Sequence, residues 1–140
     1  MEEPRNVWLI LAAVLNAIAA ALHLGCIAFG APWYRFFGAG ERMAELAAAG
    51  SRYPTTVSSF IAAMLSVWAL YALSGAGVIA HLPLLRVVLC LISGIYLLRG
   101  IAGVPLALMT HAAFWWWSSA ICLAIGLIHL AGLWQAWARL

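Results

Sequence analysis

Two polar side chains within the first apolar run of the chain, Val7–Phe29, have types and a spacing that could support chemistry. Asn16 and His23 are seven positions apart, and seven positions bring a helical side chain back to almost the same face. An imidazole in such a helix can act as a general base, ligate a metal ion or haem, or only form a hydrogen bond in a packed core. The sequence alone leaves these roles of His23 open.

An arginine in the second half of the chain, Arg99, also lies within an apolar run, where a charge costs at least ~2.5 kcal/mol on insertion scales. Its guanidinium can reach the membrane interface along its own flexible stem. It can instead pair with Glu41 or Glu45, or bind an anionic ligand group through two parallel hydrogen bonds. Arg99 is therefore the residue whose position most needs an explanation.

The composition indicates that these polar residues lie inside a membrane. Of 140 residues, 67% are hydrophobic and only 8% are charged, and the mean hydropathy is +1.05, far outside the range of soluble domains. All the basic residues are scattered arginines, so no basic cluster predicts a nucleic-acid partner. The opening Met-Glu-Glu and the long first apolar run predict that the first helix is retained and not cleaved.

The chain offers no pattern for a metal site and no known catalytic motif. Cys26, Cys90 and Cys122 are odd in number and unclustered, which predicts small buried thiols and not disulfides or zinc ligands. Helical rise places His23 and His129 at different depths, so a haem held between them is disfavoured. No nucleophile elbow, phosphate loop, paired-cysteine motif or HExxH sequence is present. We therefore predict neither a metal nor a cofactor.

Four apolar stretches reach the length of about 20 residues that a helix needs to cross a bilayer. We place them at about 7–29, 54–75, 83–104 and 112–136, with glycine and proline at the joints. In the long connection between the first two spans, residues 41–49 predict a short interfacial helix. These elements predict a single-domain, all-α integral membrane protein, a four-transmembrane-helix bundle. We expect a multi-pass protein of a bacterial inner membrane.

Four spans place both termini on one side of the membrane, which we call side A, and the long first connection on the other, side B. Three arginines fall on side A and three or four on side B, which leaves the orientation open under the positive-inside rule. The layout of four spans with a long first connection is loosely similar to that of the small bacterial membrane proteins of the DoxX-like type. No residue motif accompanies this similarity.

Helical rise places polar side chains from all four spans in one layer, about 8–10 Å below side B. We predict that this layer forms a polar and aromatic pocket for a small amphiphilic or lipid-like ligand, because apolar walls with a few convergent polar groups suit such ligands. The predicted ligand-binding residues are His23, Trp33, Ser59, Tyr96, Arg99, Trp116 and Ser118. Asn16 and His129 lie at similar heights nearer side A, which predicts a hydrogen bond between them.

A membrane-embedded enzyme is the first alternative to ligand binding. Its catalytic residues would be His23 as proton acceptor or donor, Glu41 or Glu45 as the carboxylate partner, and Arg99 as the stabiliser of an anionic intermediate. This hypothesis requires a carboxylate or a substrate atom within hydrogen-bond reach of His23.

The second alternative is a structural bundle or an accessory subunit of a membrane complex. Small residues on the third span, including Gly94 and Gly103, let another helix backbone approach closely and so favour a homo-oligomer or a membrane partner. The competing interpretation is that helices of the same bundle use these glycines.

Overall fold

The computed structural model describes residues 4–37 and 41–140, and its regular elements in these ranges are all helices. In chain order they are α1 (Val7–Phe29), α2 (Ala31–Phe36), α3 (Glu41–Ala48), α4 (Tyr53–Gly75), α5 (Leu85–Thr110) and α6 (Ala113–Ala136), followed by a 3-10 turn at Trp137–Arg139. The helices α1, α4, α5 and α6 are long and apolar enough to cross a membrane. The predicted four-span, all-α integral membrane bundle is confirmed.

A single buried residue, Asn6, joins three helices at side A. Its Oδ1 accepts a hydrogen bond from the backbone N–H of Leu9 at 3.1 Å and so caps α1. Its Nδ2 donates to the carbonyl of Gly132 on α6 at 2.8 Å, and its backbone N–H donates to the carbonyl of Ala76 after α4 at 3.2 Å. The side-A ends of α1, α4 and α6 are therefore held together by one side chain and its backbone.

The connection on side B contains two short helices that pack on α1 and α4. Gly30 turns the chain between α1 and α2 with a φ of 72°, a conformation that glycine adopts without steric cost. The hydroxyl groups of Tyr34 and Ser58 are 2.9 Å apart, which ties α2 to α4. α3 is the predicted interfacial helix. Its Ala44 is buried in a cluster with Tyr34 of α2 and Cys26 of α1. α2 is an additional helix that the sequence did not predict.

The third span is longer than predicted, because α5 continues to Thr110 instead of ending near Val104. Pro105 lies inside this helix and cannot donate a backbone hydrogen bond to the carbonyl of Ile101. Membrane helices tolerate such a proline, since neighbouring groups and small local adjustments satisfy the freed carbonyl. Arg99 consequently lies eleven residues before the end of α5 and starts deeper in the membrane than predicted.

The four spans pair as two antiparallel arms. α1 packs mainly on α4, and α5 mainly on α6. We call the first pair, together with α2 and α3, the α1–α4 arm, and the second pair the α5–α6 arm. Glycines let α5 and α6 approach closely, since a Cβ on Gly100 would lie 2.5 Å from Cγ of Leu123, and a Cβ on Gly126 would lie 2.9 Å from Cδ2 of Leu97.

Candidate functional site

A buried polar cluster joins the two arms in the middle of the bundle. Nδ2 of Asn16 and Nε2 of His129 are 2.8 Å apart, and the hydroxyl of Tyr96 donates to Oδ1 of Asn16 at 2.5 Å. The predicted hydrogen bond between Asn16 and His129 is confirmed. The Tyr96 ring also stacks on His129 at 5.7 Å and contacts Trp68 edge to face at 5.2 Å, so all four spans contribute. We call Asn16, Tyr96 and His129 the central polar cluster.

The hydrogen bonds of this cluster assign its proton positions. Because Oδ1 of Asn16 accepts from Tyr96, Nδ2 of the same amide donates to Nε2 of His129. An imidazole that accepts at Nε2 is neutral and carries its proton on Nδ1. This Nδ1 is buried and has no hydrogen-bond partner among the described residues. The central polar cluster is thus an uncharged unit that connects the arms.

A second polar group, which we call the Arg99 cluster, lies between α5 and α6 towards side B. Cζ of Arg99 lies 4.9 Å from the centre of the Trp115 ring, and its Nη2 donates to Oγ of Ser118 at 3.3 Å. Nη1 of Arg99 and Oγ of Ser119 are buried without a hydrogen-bond partner in the described residues. Both atoms border Gly103, where a Cβ would overlap Ser119 and lie 2.9 Å from Nη1. Only glycine at position 103 leaves room for this arrangement.

The charge of Arg99 has no carboxylate partner within the membrane spans, because none of the four spans contains an acidic residue. Glu41 instead forms an exposed ion pair with Arg35 at 2.9 Å, and Glu45 is exposed. The pairing of Arg99 with either glutamate, which the sequence suggested, is not formed. A cation–π contact contributes about 0.5–2 kcal/mol, which does not clearly offset an insertion cost of at least ~2.5 kcal/mol.

The structure brings only part of the predicted ligand-binding set together. Arg99 and Ser118 meet, whereas Tyr96 belongs to the central polar cluster. Ser59 and Trp116 are exposed on the outer surface, where a membrane protein meets lipid. Trp33 of α2 packs against Gly25 of α1 and stacks on Phe29 with ring centres 4.6 Å apart.

His23 forms a hydrogen bond inside its own helix, and not with another functional group. Its Nδ1 is 2.7 Å from the carbonyl oxygen of Ala19. Glu41 bonds to Arg35 instead of His23, and Glu45 is exposed. The described residues therefore place neither glutamate within hydrogen-bond reach of His23, so the carboxylate partner that the enzyme hypothesis names is not in position.

Three members of the Arg99 cluster were missing from the predicted set: Trp115, Ser119 and Gly103. Gly103 was predicted to be a small residue of the third span that lets another helix approach closely, and not a member of the ligand-binding set. Gly100 and Gly103 together predicted close packing with another helix, and that helix is α6 of the same bundle. Ser118 and Ser119 are adjacent, and only the structure shows which of them faces Gly103.

Two cavities of the described structure lie nearer side A, away from the Arg99 cluster. A shallow groove of about 790 Å³ runs between α1 and α6, and a pocket of about 190 Å³ opens beside the loop after α4. The groove is lined by Trp8, Leu127, Leu130, Ala131, Trp134 and Gln135. None of the predicted ligand-binding residues lines either cavity. In the described ranges, no three histidine, cysteine or acidic residues come together as metal ligands.

Comparisons with protein-family models, curated proteins and solved structures found no match to this chain. Arg99 is the outstanding candidate among the residues of the chain, because it is an ionisable group inside a span without an opposite charge.

Arg99→Met is expected to preserve the fold and to raise the free energy of unfolding by about 1–2 kcal/mol, because it removes a poorly compensated charge from the membrane. Unfolding in mixed micelles of a mild detergent and dodecyl sulfate measures this change. Arg86→Met is the matched control: Arg86 lies on the same helix and its Cζ is 4.8 Å from the centre of the Trp137 ring, but it is exposed at side A. The control is expected to change stability by less than about 0.5 kcal/mol. A large loss of stability in Arg99→Met, but not in Arg86→Met, would mean that the contacts of Arg99 within the bundle stabilise the fold by more than the burial of its charge costs.

Proposed function

We propose that this multi-pass membrane protein binds a small amphiphilic, lipid-like ligand whose anionic head group pairs with Arg99. One observation carries the proposal: a buried guanidinium nitrogen, Nη1 of Arg99, has no partner in the described residues, and no span holds a carboxylate. A charge is retained inside a membrane mainly where it serves a function. An anionic ligand group supplies the opposite charge that the chain itself does not place there.

The donors of the Arg99 cluster suit an anion with at least two oxygen atoms. Nη1 of Arg99 and the hydroxyl of Ser119 are neighbouring groups without partners in the described chain, and both can donate a hydrogen bond. A carboxylate or a phosphate group accepts several such bonds, and arginine binds both with good geometry. These two head groups therefore define the ligand class.

The surroundings of the Arg99 cluster favour an apolar tail on the same ligand. The spans that hold the cluster are mostly apolar, and only a few polar groups converge at Arg99. A site of this composition selects a molecule with one charged end and a long apolar body. Free anions that dissolve well in water have no comparable reason to enter the membrane.

Native mass spectrometry of the delipidated protein in a neutral detergent tests this function. Oleate supplies a carboxylate head group, phosphatidylglycerol supplies an anionic phosphate, and monoolein supplies a matched uncharged head group. We expect at least one anionic probe to bind about tenfold more tightly than monoolein, which corresponds to about 1.4 kcal/mol. Arg99→Met is expected to abolish this preference, whereas Arg86→Met is expected to keep it.

The two anionic probes separate the sources of the head group. Preference for oleate alone identifies a carboxylate, preference for phosphatidylglycerol alone identifies a phospholipid, and preference for both identifies recognition of charge. Equal retention of all three probes by the wild-type protein and by Arg99→Met would contradict the proposal. The bundle would then be structural, or an accessory subunit of a membrane complex.

A further inference from the structure

The donors of the Arg99 cluster are enclosed in this structure, so a ligand can reach them only after a movement. Nη1 of Arg99 and Oγ of Ser119 are both buried, and neither of the two cavities near side A reaches them. Arg99 sits one helical turn from Tyr96, on the same shoulder of α5. Tyr96 bonds to Asn16 on α1, so the α1–α4 arm meets α5 one helical turn from Arg99. The relevant movement is therefore one between the two arms.

The arms are tightly joined near side A and in the middle of the bundle. At side A, Asn6 bonds to the carbonyl of Gly132, and a Cβ on Gly75 of α4 would lie 2.7 Å from Cδ1 of Leu89 on α5. In the middle, the central polar cluster joins α1 to both α5 and α6 through two hydrogen bonds. Separating the arms here would expose several polar groups to an apolar environment, which is costly.

Nearer side B, the polar and aromatic contacts of the described residues stay within one arm. Arg99 bonds to Ser118 inside the α5–α6 arm, and Tyr34 bonds to Ser58 inside the α1–α4 arm. The apolar cluster at this end is built from α1, α2 and α3 alone. No hydrogen bond, ion pair or ring contact in the described ranges joins the two arms here.

We infer that the two arms spread at side B about the central polar cluster and so admit the ligand to Arg99 from the surrounding lipid. Hinge and shear movements of packed elements around a ligand are a known class of conformational change. α2 and α3 move with the α1–α4 arm, because both share an apolar cluster with Cys26 of α1 and Tyr34 of α2 bonds to Ser58 of α4. The purpose of the opening rests on the proposed function, whereas the movement itself does not.

Pulsed electron paramagnetic resonance on spin-labelled protein in lipid nanodiscs tests this movement. One label pair, Thr55→Cys with Met109→Cys, spans the arms at side B, and the matched control pair, Val78→Cys with Ala138→Cys, spans them at side A. All four positions are exposed, so labels fit there without entering the core. The three native cysteines are replaced by alanine beforehand.

The side-B pair is expected to give two distance populations, and the side-A pair one narrow population. Oleate is expected to raise the share of the longer side-B population about twofold or more, because a ligand that binds only the open state shifts the equilibrium towards it. A single narrow side-B distance, with and without oleate, would overturn the inference. If binding still depended on Arg99 in that case, the site would stand without the movement. If the side-B pair gave two distance populations but binding did not depend on Arg99, the movement would stand and the proposed ligand site would be overturned.

Discussion

Gly100→Leu is expected to lower the free energy of unfolding by about 3 kcal/mol or more, the largest effect that we predict for a single substitution. A Cβ at this position would lie 2.5 Å from Cγ of Leu123 and 3.0 Å from its backbone nitrogen. The side chain of Leu123 could rotate away, but the backbone of α6 could not move without separating α5 from α6. Unfolding in dodecyl sulfate mixed micelles, followed by circular dichroism, measures the loss.

Gly94→Leu is the matched control, because Gly94 lies on the same helix with no neighbouring atom within 4 Å of an added Cβ. We expect its unfolding free energy to stay within about 0.5 kcal/mol of the wild-type value. Similar losses in both variants would show that glycine is needed in α5 for a reason other than contact with α6.

The same pair of glycines refines the hypothesis of self-association. Gly100, Gly103 and Gly126 are used within the α5–α6 arm, so Gly94 is the glycine of α5 that remains for contact with another molecule. A homo-oligomer formed through this face stays a prediction. Gly94→Leu tests this prediction without disturbing the fold, because an added Cβ meets no atom within 4 Å. A mass measurement in mild detergent would show whether the oligomer is lost.

Asn16→Leu is expected to lower the free energy of unfolding by about 2 kcal/mol, because it leaves the Tyr96 hydroxyl and Nε2 of His129 unpartnered in an apolar core. Each of these groups now bonds to Asn16, which is fully buried. Leucine has the same branch point at Cγ but makes no hydrogen bond and is larger than asparagine, so the loss combines the broken hydrogen bonds with repacking of the site. The same mixed-micelle unfolding experiment measures it.

Two further variants show whether the stability loss comes from the central polar cluster or from removing any polar residue in a span. Tyr96→Phe removes one hydrogen bond and is expected to cost about 1 kcal/mol. Ser66→Ala removes the hydroxyl of an exposed residue, which bonds to the carbonyl of Ala62 in its own helix, and should change stability by less than about 0.5 kcal/mol. A neutral Asn16→Leu would mean that the central polar cluster contributes little to holding the arms together.

The sequence predicted the number of spans and the contact between Asn16 and His129, for related physical reasons. Apolar runs of membrane length are long, uninterrupted signals, and an amide and an imidazole in lipid must find partners. Counting helical rise from well-placed helix ends brought these two residues to one height. The interfacial helix at Glu41–Ala48 was also predictable, because its polar and apolar residues fall on different faces of a helix.

The Arg99 cluster was only partly predictable, because the depth of Arg99 was counted from a helix end that was placed too early in the chain. Pro105 suggested that the third span stops near Val104, yet the helix continues to Thr110. Azimuth was a second difficulty, since α4 is apolar on all sides and its sequence does not distinguish the buried Ser58 from the exposed Ser59. Only tertiary packing, here the approach of α6 to Gly103, decides which hydroxyl joins the site.

The most direct test of the proposed ligand site is a dipolar contact between Arg99 and an anionic head group in a bilayer. Solid-state NMR detects this contact when the protein carries 15N-labelled arginine and the bilayer contains phosphatidylglycerol and oleate labelled with 13C at the carboxylate. We predict a guanidinium coupling to 31P or to the labelled carboxylate that is present in the wild-type protein and in Arg86→Met but absent from Arg99→Met. Couplings that are identical in the wild-type protein and in Arg99→Met would contradict the account.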